Sequence, residues 1–338
     1  GAFQILDVYG DVISGSVIGS KSESKGASPL AGLKTKTKLY VGLSELLQQP
    51  VFAGVGSVLA GQAEVELDFN AAAEYPLQLQ AVITGLRARD LPGSSQDYRL
   101  AAQLKQTSGG VYTLGSNLQA GFESRPSTNI ELVCQFYPER QPLPFKLSLA
   151  SSRVSQGDIE LLMASLLAND TAASASNNSA LAPRAAETNT QRPSWSDFDG
   201  EVSIKLDELA IESGQVLTEL KAQVNISEAL FSVNDITATL KGGGLFGQAN
   251  VAYDPIQSRA YRVASSFVFE HIDPSLFSKG SYSKFPVKGL FDGQLKFAGS
   301  GHTLEAAGED LEGDLTITGR NGVLTAFELD SRSQLGLI

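Results

Sequence analysis

The residues that could do chemistry are few and scattered. Among 338 residues there are two histidines, His271 and His302. His271 ends an alternating run and His302 sits in a glycine-flanked turn. Neither has a cysteine, a second histidine or a paired acid at ligand spacing, which argues against a zinc site. Gly242-Gly243-Gly244-Leu245-Phe246-Gly247 has the glycine content of a phosphate loop. No lysine follows it and alternating strands flank it, so it reads as a hairpin bend. There is no Gly-x-Ser-x-Gly elbow. Acid pairs such as Glu309-Asp310 would serve glycoside hydrolysis only if folding brought two carboxylates to one cleft. Most acids instead alternate with apolar residues, as Glu64 and Glu66 do beside Val65 and Leu67, where solvation explains them. Asn225-Ile226-Ser227 fits a glycosylation acceptor in form but lies within an alternating strand. The sole cysteine, Cys134, shares a strand side with Ile130, Leu132 and Phe136 and reads as a small buried hydrophobe. The expectation is therefore no catalytic residue, no metal site and no cofactor.

What the chain does offer is apolar surface set out by strands. Three copies of one phrase organise it: a short helix-like piece, a gap, then a glycine opening a strictly alternating strand. The helix-like pieces are Leu43–Leu47, Asp158–Leu162 and Asp273–Phe277, and the strands begin at Gly61, Gly200 and Gly293. A unit of this kind cannot bury its apolar side alone and must stack on its neighbours. Further alternation appears at Leu77, Leu79, Ala81 and Ile83, and at Phe145, Leu147 and Leu149. Turns recur at Gly10, Ser108-Gly109-Gly110, Asp254-Pro255 and Asn321-Gly322, the last being the strongest hairpin signal. Residues from Ser14 to about Gly32 read as a loop. Period-2 patterning with a turn every 8–12 residues predicts a mainly β, antiparallel fold with a few short helices.

Bulk properties narrow the partners. A formal charge of −11 and a sequence pI near 4.8, without a basic block, argue against phosphate-driven nucleic-acid binding and docking on anionic headgroups. No run of about 18 apolar residues occurs. The chain starts Gly1-Ala2 and reads as an excised segment, from which a signal or anchor would be missing. Three regions follow: a β-rich part over 1–167, an Ala/Ser/Asn-rich stretch over 168–192, and a second β part over 193–338. The middle stretch has almost nothing to bury and reads either as a flexible insertion or as an ordinary domain linker.

Val202, Ile204, Leu206, Phe231, Val233, Phe267, Phe269, Leu295, Phe297, Leu315 and Ile317 each lie on one side of a strand. They are the candidate lipid-binding residues. Their sheet either folds over as a closed sandwich, an interaction or scaffold module without ligand, or stays curled as an open trough that accepts acyl chains. A β-rich carbohydrate-active enzyme is a distant third reading.

Residues from about Trp195 to Leu329 resemble the C-terminal region of AsmA-like proteins of Gram-negative bacteria. The phrases that carry this are Asp199-Gly200-Glu201-Val202, Leu240–Gly247, Phe269–Phe277, Gly289–Gly301 and Leu311–Leu324. Ala326 stands where glycine is frequent in the family, and residues 36–167 agree in helix-then-strand rhythm only. The resemblance implies a non-enzymatic periplasmic protein, tethered to the inner membrane by an N-terminal anchor absent from this segment. It also implies a long U-shaped β-groove lined by apolar residues. The implied role is outer-membrane biogenesis, with phospholipid or another acyl-chain lipid as partner, possible envelope proteins besides, and no nucleic acid.

Overall fold

The computed structural model describes residues 2–8, 13–21, 33–47, 58–71, 73–88, 91, 94–107, 109–121, 126–166, 192–211, 214–273 and 287–324. Sixteen strands form one sheet in strict sequence order. They are β1 (Ala2–Val8), β2 (Ile13–Lys21), β3 (Leu33–Gly42), β4 (Val58–Asn70), β5 (Leu77–Ala88), β6 (Gln96–Thr107), β7 (Val111–Ala120) and β8 (Thr128–Phe136), followed by β9 (Leu143–Ser155), β10 (Phe198–Ala210), β11 (Val216–Ser227), β12 (Leu230–Leu240), β13 (Gly243–Tyr253), β14 (Tyr261–Ile272), β15 (Val287–Gly301) and β16 (Glu312–Leu324). Among the described residues the sheet is not closed into a barrel, and β1 and β16 are its two edges. Three short helices, α1 (Leu43–Leu47), α2 (Gln156–Leu166) and α3 (Leu304–Glu309), complete the elements.

Every neighbouring pair is antiparallel except β9 and β10, which run parallel with Leu143 beside Phe198 and Ser155 beside Ala210. Antiparallel neighbours need only a tight turn, whereas a parallel pair needs a connection that returns along the strand. The stretch from Ser155 to Phe198 makes that return and begins with α2. The poorly buriable stretch singled out in the sequence lies, up to residue 191, outside the described residues.

Two local readings are corrected. Ser14–Lys21 is strand, not loop: β2 pairs with β3 from Ile13 opposite Val41 to Lys21 opposite Leu33. Its Gly15 and Gly19 hid the alternation because glycine carries no side chain to reveal it. Asn321-Gly322 makes no hairpin. It lies inside β16, where the register against β15 slips between Lys288 and Leu290, so the dipeptide supplies an extra residue to a bulge. The repeated glycines also do not open their strands. Gly61, Gly200 and Gly293 sit inside β4, β10 and β15, where a neighbouring side chain comes close. Of the three helix-like pieces, the first two fall in α1 and α2. The third lies beyond Asp273, outside the described residues.

The helices sit at strand ends. α1 and α2 cover the end of the first half, where Leu86, Ala88, Tyr98, Ala120 and Leu161 form a buried cluster with Leu43 and Leu162 packed against it. Asp158, in the first turn of α2, fastens that helix. Its carboxylate accepts hydrogen bonds from Gln96 Nε2 at 2.8 Å and Thr128 Oγ1 at 2.7 Å, and its backbone oxygen accepts one from Tyr98 Oη at 2.8 Å. Burial and the nearby Asp158 carboxylate push the Tyr98 hydroxyl pKa well above its ordinary value. At the opposite end α3 lies over Gly299 and Gly301, where any side chain would strike its backbone. Thr303 caps it by accepting from Ala306 N.

Candidate apolar binding face

Residues directly opposite each other in a ladder present their side chains on the same side of the sheet. Following the registers from β10 to β16 therefore shows which stripes join. Val202 stands opposite Val224, which stands opposite Val233; Val233 faces Ala249, and Ala249 faces Ser265. Gly247 faces Phe267, Phe267 faces Leu295, and Leu295 faces Leu315. All eleven sequence-predicted residues fall on this one face.

The same face continues through the first half, which the sequence reading left out of the site. Across the parallel seam Val202 lies beside Leu147 and Ile204 beside Leu149. Leu149 then faces Leu132, and Leu100, Ala81, Val65 and Leu39 follow along the rows of β6, β5, β4 and β3. The signal was present, since Leu77–Ile83 and Phe145–Leu149 alternate as clearly as the chosen stripes. Cys134 lies on this face opposite Leu114 and Leu147, half-buried, and its burial pushes the thiol pKa up.

Strict alternation would have put polar groups on the face near one end, and bulges prevent it. Glu219, Asp235 and His271 all hold a left-handed backbone, with φ of 54°, 52° and 54°. Each sits at a register shift or a break in the ladder. Beyond them Leu217, Ile236 and Ile272 return to the apolar side, and Leu217, Leu240, Phe269 and Ile272 pack together. His271 itself lies by Asp292, with Nδ1 3.7 Å from Oδ1. Among the described residues no three acidic, histidine or cysteine side chains are grouped to hold a metal ion.

Five phenylalanines on the face stand directly opposite a glycine: Phe145 with Gly200, Phe267 with Gly247, Phe269 with Gly293, Phe297 with Gly313 and Phe291 with Gly319. In four of the pairs the ring occupies the space a Cβ would take, and at Gly313 it lies in tight contact with that space; a Cβ built on Gly200 would come within 2.6 Å of the Phe145 ring. The rings therefore lie down over the neighbouring strand instead of standing up from it, which covers the glycine backbone and lowers the relief of the surface.

Burial along the face is partial. Val202, Ile204, Phe231, Val233, Phe267, Phe269, Leu295 and Phe297 are half-buried and Leu206 is buried, while Leu315 and Ile317 on the edge strand are 58% and 54% exposed. The other face is mostly polar, with Ile18, Tyr40, Val133 and Phe246 exposed among its charged and amide side chains. Lys38 pairs with Glu64 and Glu66 and Lys36 with Asp68, all solvent-exposed and of little energetic weight. Shallow hollows open on that face too. One of about 470 Å³ lies between Gln78, Gln80, Gln103, Asn117 and Glu131, where Ala101 and Gly115 leave gaps in the row of longer side chains.

No helix among the described residues is long and apolar enough to cross a membrane. No curated protein and no solved structure matches the chain significantly. The model of the AsmA family matches residues 59–334, which takes in both halves of the sheet and not only the second half, where the resemblance was plainest. The chain belongs to the AsmA family.

Proposed function

We propose that this chain is a non-enzymatic protein of the cell envelope that holds or conducts phospholipid along its apolar face, in the service of outer-membrane biogenesis. AsmA membership supports the envelope role. The observation that carries the lipid reading is the face itself. One continuous apolar surface runs from β3 to β16, half-buried rather than sealed, with helices over its strand ends. Burying an apolar side chain of this size contributes roughly 1.5–3 kcal/mol, so a surface this long favours an apolar occupant. Acyl chains are flexible and featureless, and a face flattened by rings over glycines suits them better than it suits a partner needing deep pockets. In the full-length protein we place this segment in the periplasm, tethered to the inner membrane by an N-terminal anchor.

Native mass spectrometry of the purified chain, with organic extraction of whatever is bound, tests the reading. Phospholipid should co-purify with the wild type. Phe267→Asp, which sets a charge in the middle of the face, should lose it while keeping the β-sheet circular dichroism. A lipid-free wild type would overturn the proposal, as would a Phe267→Asp variant that folds and keeps its lipid.

A further inference from the structure

We infer that β16 is a self-pairing edge, through which two copies of this chain join into one continuous sheet. Among the described residues nothing pairs with the outer side of this 13-residue strand. Leu315 and Ile317 are accordingly far more exposed than their half-buried counterparts on interior strands. Edge strands are commonly protected by lysine, proline or short length, and Gly313-Asp314-Leu315-Thr316-Ile317-Thr318-Gly319 has none of these.

The strand is also nearly its own complement. An antiparallel pair of copies about a two-fold axis must be centred on a residue if both apolar faces are to point the same way. Centred on Thr316, the register sets Leu315 of one copy opposite Ile317 of the other, twice, and Gly313 opposite Gly319. Shifting the centre to Leu315 or Ile317 breaks both Leu–Ile pairs and sets an isoleucine or a leucine against glycine. The Thr316 register is therefore the one in which the apolar partners match. The joined sheet would carry one apolar face across both copies. The inference rests on the edge alone and stands whether or not lipid is bound.

Disulfide trapping on lipid-extracted protein tests it, in a Cys134→Ala background that removes the native thiol. Only a residue on the axis meets its own copy. Thr316→Cys should therefore give a disulfide-linked dimer of twice 35.7 kDa under mild oxidation. Asp314→Cys and Thr318→Cys would stand roughly 13 Å from their counterparts and should give several-fold less, because a disulfide spans only about 7 Å between Cα atoms. Ile317→Lys should sediment as a monomer with unchanged circular dichroism. Three outcomes would overturn the proposal: a wild type that stays monomeric at every concentration, equal trapping at all three positions, or slow hydrogen exchange of the 313–319 amides in a strict monomer.

Discussion

The seven strands β3–β9 and the seven strands β10–β16 arrive at the same apolar face by different means. In the first half one bend that re-aims a strand uses glycine: Gly85, with φ of 62°, lets Leu86 follow Ile83 onto the packed side. In the second half the same device is built from Glu219, Asp235 and His271, side chains that disfavour that backbone. The second half lays rings over glycines, and four of the five pairs lie wholly within it. The first half is fastened at its end by a buried polar anchor under α2, and the second by α3 seated on glycines and by Trp195 against Phe231 and Tyr261. The shape of the surface is held in common, and the residues that secure it are interchangeable.

That contrast can be broken most forcefully at Asp158. Asp158→Ala leaves the buried Thr128 hydroxyl and the half-buried Gln96 amide without this acceptor, a loss of about 3 kcal/mol. Denaturant titration should register it, and hydrogen exchange should quicken in α2 and β6–β9 while β12–β16 stay protected. If protection fell equally in both halves, they would not be separately secured.

Next in size is Gly293→Ala. The new methyl would overlap the Phe269 ring and approach the Thr316 carbonyl at 2.7 Å. Lifting the ring off the strand should cost about 2 kcal/mol. Paired with Phe269→Ala the penalty should shrink to what the Thr316 carbonyl still imposes, since the ring is the nearer obstacle. A penalty that persisted in full in the double variant would mean the glycine serves its own strand and not the ring.

The smallest effect has opposite signs in the two halves. Gly85→Ala meets no steric neighbour, so its cost is conformational, about 1–2 kcal/mol. Glu219→Gly relieves the same backbone and should stabilise by about 0.5–1 kcal/mol once the greater freedom of the unfolded glycine is deducted. Thermal melts of both variants check this. Matching signs would show that the two bends are not the same device.

Much of the fold was legible because a period of two survives in single strands. Val202, Ile204 and Leu206 announce a one-sided strand without reference to anything else. What the sequence concealed was pairing. Asn321-Gly322 looks like a hairpin until the partner register turns it into a bulge, and Gly293 looks like a strand opener until Phe269 is seen to lie over it. The unity of the face was equally hidden. Its eleven proposed residues could be grouped by strand, but that Val65 and Leu315 share one surface follows only from twelve registers acting in series. The three bends at Glu219, Asp235 and His271 left no sequence signature at all, since none is a glycine.

The single parallel seam also bears on how the chain reaches its native state. Most antiparallel neighbours are close in the chain, although α1 stands between β3 and β4 and α3 between β15 and β16, so strands can add one at a time in the order of synthesis, with mostly local contacts and little entropy lost at each step. The seam is different, because Leu143 cannot meet Phe198 until the whole intervening stretch has been drawn back along the sheet. Closing a loop about ten times longer than a hairpin turn costs roughly 2 kcal/mol more. The two meanders are thus expected to form as independent nuclei and to zip together last, so that refolding shows a slow phase belonging to the seam alone.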